Sequence, residues 1–262
     1  MKIVVPGGNG FIGSHICRLA VNAGHEVVAF GRSGEPDLLP VRHPWVGKVN
    51  WRTADVFDVE AWSDTLDGAD AVIHTIGTIT QDPDNGVTFD RINGEAPIVA
   101  AEAAADAGVG AFVKLSVQSK PPGVSGRFLA SMRRAEREIP TRLPSLRTVF
   151  VQPNLVFGDD RFGTPTMAGV LRSVGRLMPF DYGSYHGRPL PVQLVAATAV
   201  QAATTTTLRG ALGVDQIDGI GRTSGLVEID ELPEPTLRPL LAGIGGAALT
   251  YWTVKRLQRT SS

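Results

Sequence analysis

One cysteine in 262 residues excludes a disulfide framework and gives no sign of an oxidising compartment. That residue, Cys17, lies inside an apolar periodic segment and reads as a packed core thiol. Net charge is scarce as well: 25 Lys and Arg stand against 26 Asp and Glu, so nothing in the balance calls for a nucleic-acid partner. No Cys/His or carboxylate spacing points to a metal, and no internal repeat or low-complexity tract is present. Met1 and Lys2 run directly into the apolar segment Ile3 to Pro6, which leaves no room for the parts of a signal peptide. The expectation is a chain made and kept in the cytoplasm.

With 43% apolar residues, the chain can bury a sizeable core. Short Val- and Ile-rich runs alternate with longer helical patterns, the sign of βαβ repeats and a parallel sheet covered on both faces. Strands are expected at Ile3–Pro6, Glu26–Phe30, Val49–Thr53, Ala71–Thr75, Ala111–Ser116 and Thr148–Gln152. Helices are expected at Phe11–Ala23, Val59–Leu66, Phe89–Ala107 and Phe128–Ile139, with Gly24 and Gly108 just past two of them as left-handed caps. The predicted fold is therefore α/β, a Rossmann-type doubly wound parallel sheet over 1–158. A small C-terminal lobe follows over 159–231, with a loop at Asp159–Pro165, a short helix at Met167–Val174, a strand at Leu190–Leu194 and a helix at Ala196–Leu208. The remainder, 232–262, is a Pro-rich linker and an apolar tail.

Directly after the first strand come Gly7, Gly8, Asn9, Gly10, Phe11, Ile12 and Gly13, with Gly7, Gly10 and Gly13 at intervals of three. Gly7 permits a tight turn, Gly10 lets the backbone approach a pyrophosphate, and Gly13 lets the helix pack close to the strand. The helix then offers unpaired N–H groups and a partial positive charge to the phosphates. A glycine loop between strand and helix inside a βαβ unit predicts a bound dinucleotide. The second strand ends Phe30-Gly31-Arg32-Ser33 and carries no acid to accept from a ribose 2′-hydroxyl. Arg32 can fork onto a phosphate and Ser33 can donate beside it, so the expected cofactor is NADP(H) in preference to NAD(H), an ordinary surface arginine being the alternative reading of Arg32.

These elements resemble the atypical branch of the extended short-chain dehydrogenase/reductase superfamily, over about residues 1 to 210. The resemblance rests on the glycine loop, Ala54-Asp55-Val56, His74-Thr75-Ile76-Gly77, Asn93, Leu115-Ser116, and Gln152-Pro153-Asn154-Leu155-Val156-Phe157-Gly158. It implies that Asp55 and Val56 meet the adenine and that Thr75, Ile76 and Gly77 line the ribose and pyrophosphate. Asn93 would join the cofactor site, and Pro153, Asn154 and Val156 would face the nicotinamide side. The subgroup it is most similar to contains the cofactor-binding accessory subunit of respiratory complex I and ubiquinone-biosynthesis accessory proteins, which implies quinone or lipid as a further partner.

The superfamily's dehydrogenases use Tyr-x-x-x-Lys in the helix after strand five, and here that stretch begins Phe128-Leu129-Ala130-Ser131-Met132. Phenylalanine transfers no proton and methionine carries no ammonium. Losing general acid–base help of this kind typically lowers a rate by about 10²- to 10⁴-fold. The three tyrosines, Tyr182, Tyr185 and Tyr251, all lie outside that helix. The leading expectation is a cofactor-binding protein whose nucleotide is structural or regulatory. The alternative is a working reductase or epimerase with Ser116, Tyr182, Tyr185 or His186 as proton source. Ser116 is the one catalytic candidate from the core of the fold, and a plain strand-end serine is its equal alternative. His74 reads as a satisfied buried histidine. Asp159, Asp160 and Arg161 read as a solvated loop, and Arg133, Arg134 and Arg137 as a solvated helix face. The cluster of Asp181, Tyr182, Tyr185 and His186 suits a substrate-pocket loop or a surface loop.

The segment Pro239 to Val254 holds no charge and is roughly sixteen residues long, short of the ~18 to 20 of a full span. It fits a buried or frayed helix. It equally fits a membrane-surface contact through 239–259 on the inner face of a membrane, because Tyr251 and Trp252 precede Lys255, Arg256 and Arg259.

Overall fold

The structure, a computed structural model, describes residues 1–38, 41–120, 124–158 and 189–233. Its centre is a seven-stranded sheet, parallel throughout, built from β1 (Lys2–Pro6), β2 (Glu26–Gly31), β3 (Asn50–Thr53), β4 (Ala71–His74), β5 (Ala111–Leu115), β6 (Arg147–Val151) and a strand at Gly210–Leu212. The spatial order is β3-β2-β1-β4-β5-β6 with Gly210–Leu212 outermost, so strand order reverses between β1 and β4. A dinucleotide crevice opens at such a reversal, outside the carboxyl ends of the strands. Strands β1, β4, β5 and β6 are near-continuous apolar runs because both sheet faces are covered.

Helix α1 (Phe11–Asn22) buries Ile16, Cys17, Leu19 and Ala20 against one face. Burial drives the Cys17 thiol upward in pKa, as expected of an inert core thiol. On the other face, α2 (Ala96–Asp106) follows a π-helical turn at Asp90–Glu95, and α3 (Gly126–Arg142) points Phe128, Met132, Ala135 and Ile139 inward at helical spacing. Ser125 caps α3, its hydroxyl accepting from the Arg127 N–H at 3.3 Å. Gly24 and Gly108 take the left-handed conformation after their helices, as predicted.

Three segments differ from the sequence expectation. Val59–Leu66 is two short 3₁₀ turns, Val59–Ala61 and Ser63–Leu66, rather than one helix. The break falls at Trp62, which is fully buried, stacks on Phe30 at 4.8 Å and donates its indole N–H to the Val56 carbonyl at 3.2 Å. The strand expected over Leu190–Leu194 stops at Pro191: β8 (Leu190–Pro191) pairs with β7 (Val156–Phe157), and helix α4 (Val192–Thr204) starts at once. An unbroken apolar run has no period with which to separate the two states. Finally, part of the stretch expected as a separate lobe belongs to the central layers. Helix α4 packs on α1, and its carboxyl end is held by Arg147, which donates to the carbonyls of Ala202 at 2.8 Å, Ala203 at 3.1 Å and Leu208 at 3.0 Å. Strand β9 (Gly210–Leu212) then joins β6, and α5 (Val214–Thr223) packs on α4.

The loop at Asp159–Pro165, the helix at Met167–Val174, the cluster of Asp181, Tyr182, Tyr185 and His186, and the tail 239–259 lie outside the described residues. Among the described residues, no helix is long and apolar enough to cross a membrane, and no group of three metal-ligating side chains occurs.

Candidate functional site

The β1–α1 turn is shaped by what it leaves out. Gly7 sits at φ +82°, where a Cβ would also lie 2.7 Å from the Thr75 hydroxyl. A Cβ on Gly13 would run into the Gly7 carbonyl and the α-carbon of Gly8. Phe11, Ile12 and Gly13 head a helix with no side-chain cap from Gly10 and no acid in its first turn, which fits an anionic pyrophosphate.

Neighbouring strands fix that turn. The Gly7 N–H donates to the Phe30 carbonyl at 2.7 Å, and the Thr75 hydroxyl donates to the Pro6 carbonyl at 2.8 Å. Asn9 donates through Nδ2 to the Ser33 hydroxyl at 2.9 Å, tying the glycine turn to the end of β2. Arg32 is exposed beside Ser33 and has no hydrogen bond or ion pair among the described residues. Beyond β3, Asp55 is exposed and its Oδ1 accepts from the Phe57 N–H at 3.0 Å. The Val56 side chain is buried in the core, so only its backbone can border the crevice. Arg91 lies 4.2 Å from the centre of the Phe57 ring and closes that flank. A groove of about 780 Å³ continues between α1 and the segment after β2, lined by Asn9, Gly10, Ser14, Arg18, Ser33 and Trp45 among others.

On the far side of the strand reversal, several predicted residues meet protein rather than open space. Asn93 is buried in the π-helical turn; its Oδ1 accepts from the Thr78 N–H and its Nδ2 donates to the Thr78 carbonyl, both at 2.8 Å. It therefore shapes the loop that follows Thr75, Ile76 and Gly77. Asn154 accepts at Oδ1 from the Ser119 N–H at 2.9 Å and hydroxyl at 2.8 Å, while the Pro153 carbonyl accepts from the Gln118 N–H at 3.2 Å. Val156 is half-buried in β7.

Ser116 is buried, and its hydroxyl donates to Glu136 Oε1 at 2.5 Å. That carboxylate also accepts from both Arg133 Nη1 (2.7 and 2.5 Å) and Gln152 Nε2 (2.8 Å), and Arg133 Nη2 donates to the Gln118 carbonyl at 2.8 Å. The Ser116 proton is thus held inside the fold. Arg133 is no solvated residue, contrary to expectation, because Glu136 one turn along α3 and the β5 loop both bind it. The partners Glu136 and Gln152 escaped the sequence reading; the i,i+3 spacing of Arg133 and Glu136 was the available signal.

Where the proton-transfer pair would stand is an apolar cluster. Phe128 is 1% exposed and meets Phe89 edge-on at 5.6 Å, and Met132, Val117 and Val124 complete the group. His74 is buried as predicted, but among the described residues neither ring nitrogen has a hydrogen-bond partner. Burial, with the Lys114 charge beside it, holds it neutral, its pKa lowered to about 3. Lys114, which the sequence reading passed over inside a strand, is 1% exposed.

Residues 3–127 match the family model described as NAD dependent epimerase/dehydratase family. An uncharacterized chloroplastic protein of Arabidopsis thaliana is 39% identical over 160 residues, which cover 60% of this chain and 51% of that one. MIOREX complex component 2 of Saccharomyces cerevisiae is 34% identical over 92 residues, 34% of this chain and 33% of that one. The chain thus spans about half or less of the length of these relatives. Among solved structures, the Bordetella bronchiseptica enzyme WbmH in complex with NAD+ superposes with a TM-score of 0.59 at 18% identity, over 81% of this chain and 75% of that one. At that identity the likeness bears on the fold alone.

Proposed function

We propose, for a chain whose residues 3–127 match the model of the NAD dependent epimerase/dehydratase family, a protein that binds NADP(H) and keeps it as a structural or regulatory group. NAD(P) binding follows from the family and from the glycine turn. The preference for the phosphorylated form is our reading, supported by the exposed Arg32 and by the absence of an acid at the end of β2. The observation that carries the non-catalytic role is the buried apolar cluster of Phe128, Phe89 and Met132, in which phenylalanine and methionine stand at the positions of the family's tyrosine and lysine. When bound, the dinucleotide would supply hydride chemistry. This chain's own residues would hold its pyrophosphate at the start of α1 and its 2′-phosphate at Arg32 and Ser33.

The nucleotide that co-purifies with the protein, identified by mass spectrometry, tests this reading. NADP(H) is expected; NAD(H) would overturn the preference, and rapid turnover of bound NADPH with carbonyl substrates would overturn the non-catalytic role. The reading extends to a membrane surface, reached through 239–259, and to quinone or lipid as the partner met there. Deleting residues 238–262 should then release the protein from membranes. Unchanged partitioning, or no co-purifying quinone or lipid, would remove that part of the proposal.

A further inference from the structure

Lys114 and His74 are register partners on adjacent strands near the carboxyl edge of the sheet, and both are fully buried. The Lys114 ammonium donates to the Leu115 carbonyl at 3.1 Å and to the Met132 thioether at 3.2 Å. A thioether is a weak acceptor, and an ammonium has three protons to place. Its neighbours do not neutralise it. His74 on β4 is neutral, and Phe150 is its register partner on β6. From α3 the guanidinium of Arg133 opposes it, while the Glu136 carboxylate favours it but is already bonded by Arg133, Ser116 and Gln152. Packing alone does not call for this lysine, since an apolar side chain of similar length would fill the space without desolvating a charge.

Its place gives it a use. Helix α3 begins at the carboxyl edge of the sheet, which puts Phe128 and Met132 on the β4–β5–β6 side, with the Lys114 ammonium against the Met132 thioether. A dinucleotide laid across the strand reversal with its adenosine toward β2 and β3 puts its nicotinamide on that side.

We propose that Lys114 supplies, from β5, a buried positive charge beneath the nicotinamide end of the crevice, and that this charge makes the site favour the neutral dihydronicotinamide of NADPH over the pyridinium cation of NADP+. The proposal rests on the cofactor reading above and gives its regulatory part a physical basis: occupancy follows the redox state of the cofactor. At an effective dielectric near 20, a buried unit charge beside a second one of like sign changes an equilibrium by roughly tenfold or more. The Met132 thioether belongs to the same device, because a lysine there would set two ammonium groups side by side.

Burial lowers the Lys114 pKa from 10.5 to about 8, so the charge is present at neutral pH and is lost as pH rises through that value. Dissociation constants for NADPH and NADP+ on the full chain, measured by calorimetry at about pH 7 and about pH 9.5, test the proposal. The 2′-phosphate is common to both ligands, so its own ionisation cancels in their ratio. Wild type should prefer NADPH by roughly tenfold or more at the lower pH and lose most of that preference at the higher one. Lys114→Met should lose it at both, and adding Met132→Lys should restore it.

A ratio that is the same at both pH values, or unchanged in Lys114→Met, would overturn the inference. Equal weakening of both ligands in that variant is the signature of a merely structural lysine and would do the same. Should Lys114→Met fail to fold, the two wild-type measurements decide the matter. Binding of neither nucleotide would sink the cofactor reading itself, whereas tight binding with an indifferent ratio sinks only the role of Lys114.

Discussion

The two sides of the strand reversal are made differently. Around β1, β2 and β3 the site is backbone and small side chains: a glycine turn, an uncapped helix start and an exposed arginine, all left open toward the crevice. Around β5 and α3 the corresponding ground is filled, with aromatic and thioether side chains above and a Glu136-centred network with a buried lysine below. One half keeps an open glycine turn suited to a dinucleotide, and the other, among the described residues, is closed by Phe128, Phe89 and Met132.

The comparison can be broken most sharply at its open half. Gly13→Val forces a side chain into the Gly7 carbonyl, so nucleotide binding should fall by at least about 100-fold, read by nicotinamide fluorescence. Survival of binding would mean that the turn does not hold the phosphates.

On the filled half, Glu136→Gln leaves Arg133 without its anion in a partly buried setting. A loss of about 2 to 4 kcal/mol in urea unfolding is expected.

Lys114→Met should act in the opposite direction at neutral pH, raising stability by about 1 to 3 kcal/mol. The sign follows from a pKa lowered from 10.5 in the unfolded chain to about 8 in the folded one. Below both values the buried charge destabilises fully, and between them the folded state sheds its proton and gains stability. Wild-type stability should therefore climb from about pH 8 to 10.5 relative to the variant, and parallel pH profiles would contradict this.

The smallest effect concerns Arg32→Ala. It should weaken NADPH by about tenfold more than NADH, and equal weakening would show that Arg32 does not meet the 2′-phosphate.

The open half was the legible one. The spacing of Gly7, Gly10 and Gly13 after a buried strand encodes a local shape, because a turn of this kind depends on few residues close in sequence. Six of the seven sheet strands could be placed from apolar runs alone to within a residue or so at their ends. Strand β9 could not: three residues opening on Gly210 carry no pattern, and its place is set by pairing with β6, far away in the chain. On the filled half, Phe128 and Met132 were legible as apolar residues on the face of a helix. The network below depends on contacts across 16 to 20 residues of sequence, from Ser116 and Gln152 to Glu136. A lysine in an apolar strand carries no periodic signal either, so Lys114 emerged only from its burial and its contact with Met132.

The account stands or falls on whether the open half is occupied. Titrating the purified full chain with NADPH while following nicotinamide fluorescence should give a saturable, single-site curve, with NADH binding more weakly. No saturable signal from either nucleotide would contradict it, and would leave the glycine turn a feature of packing alone.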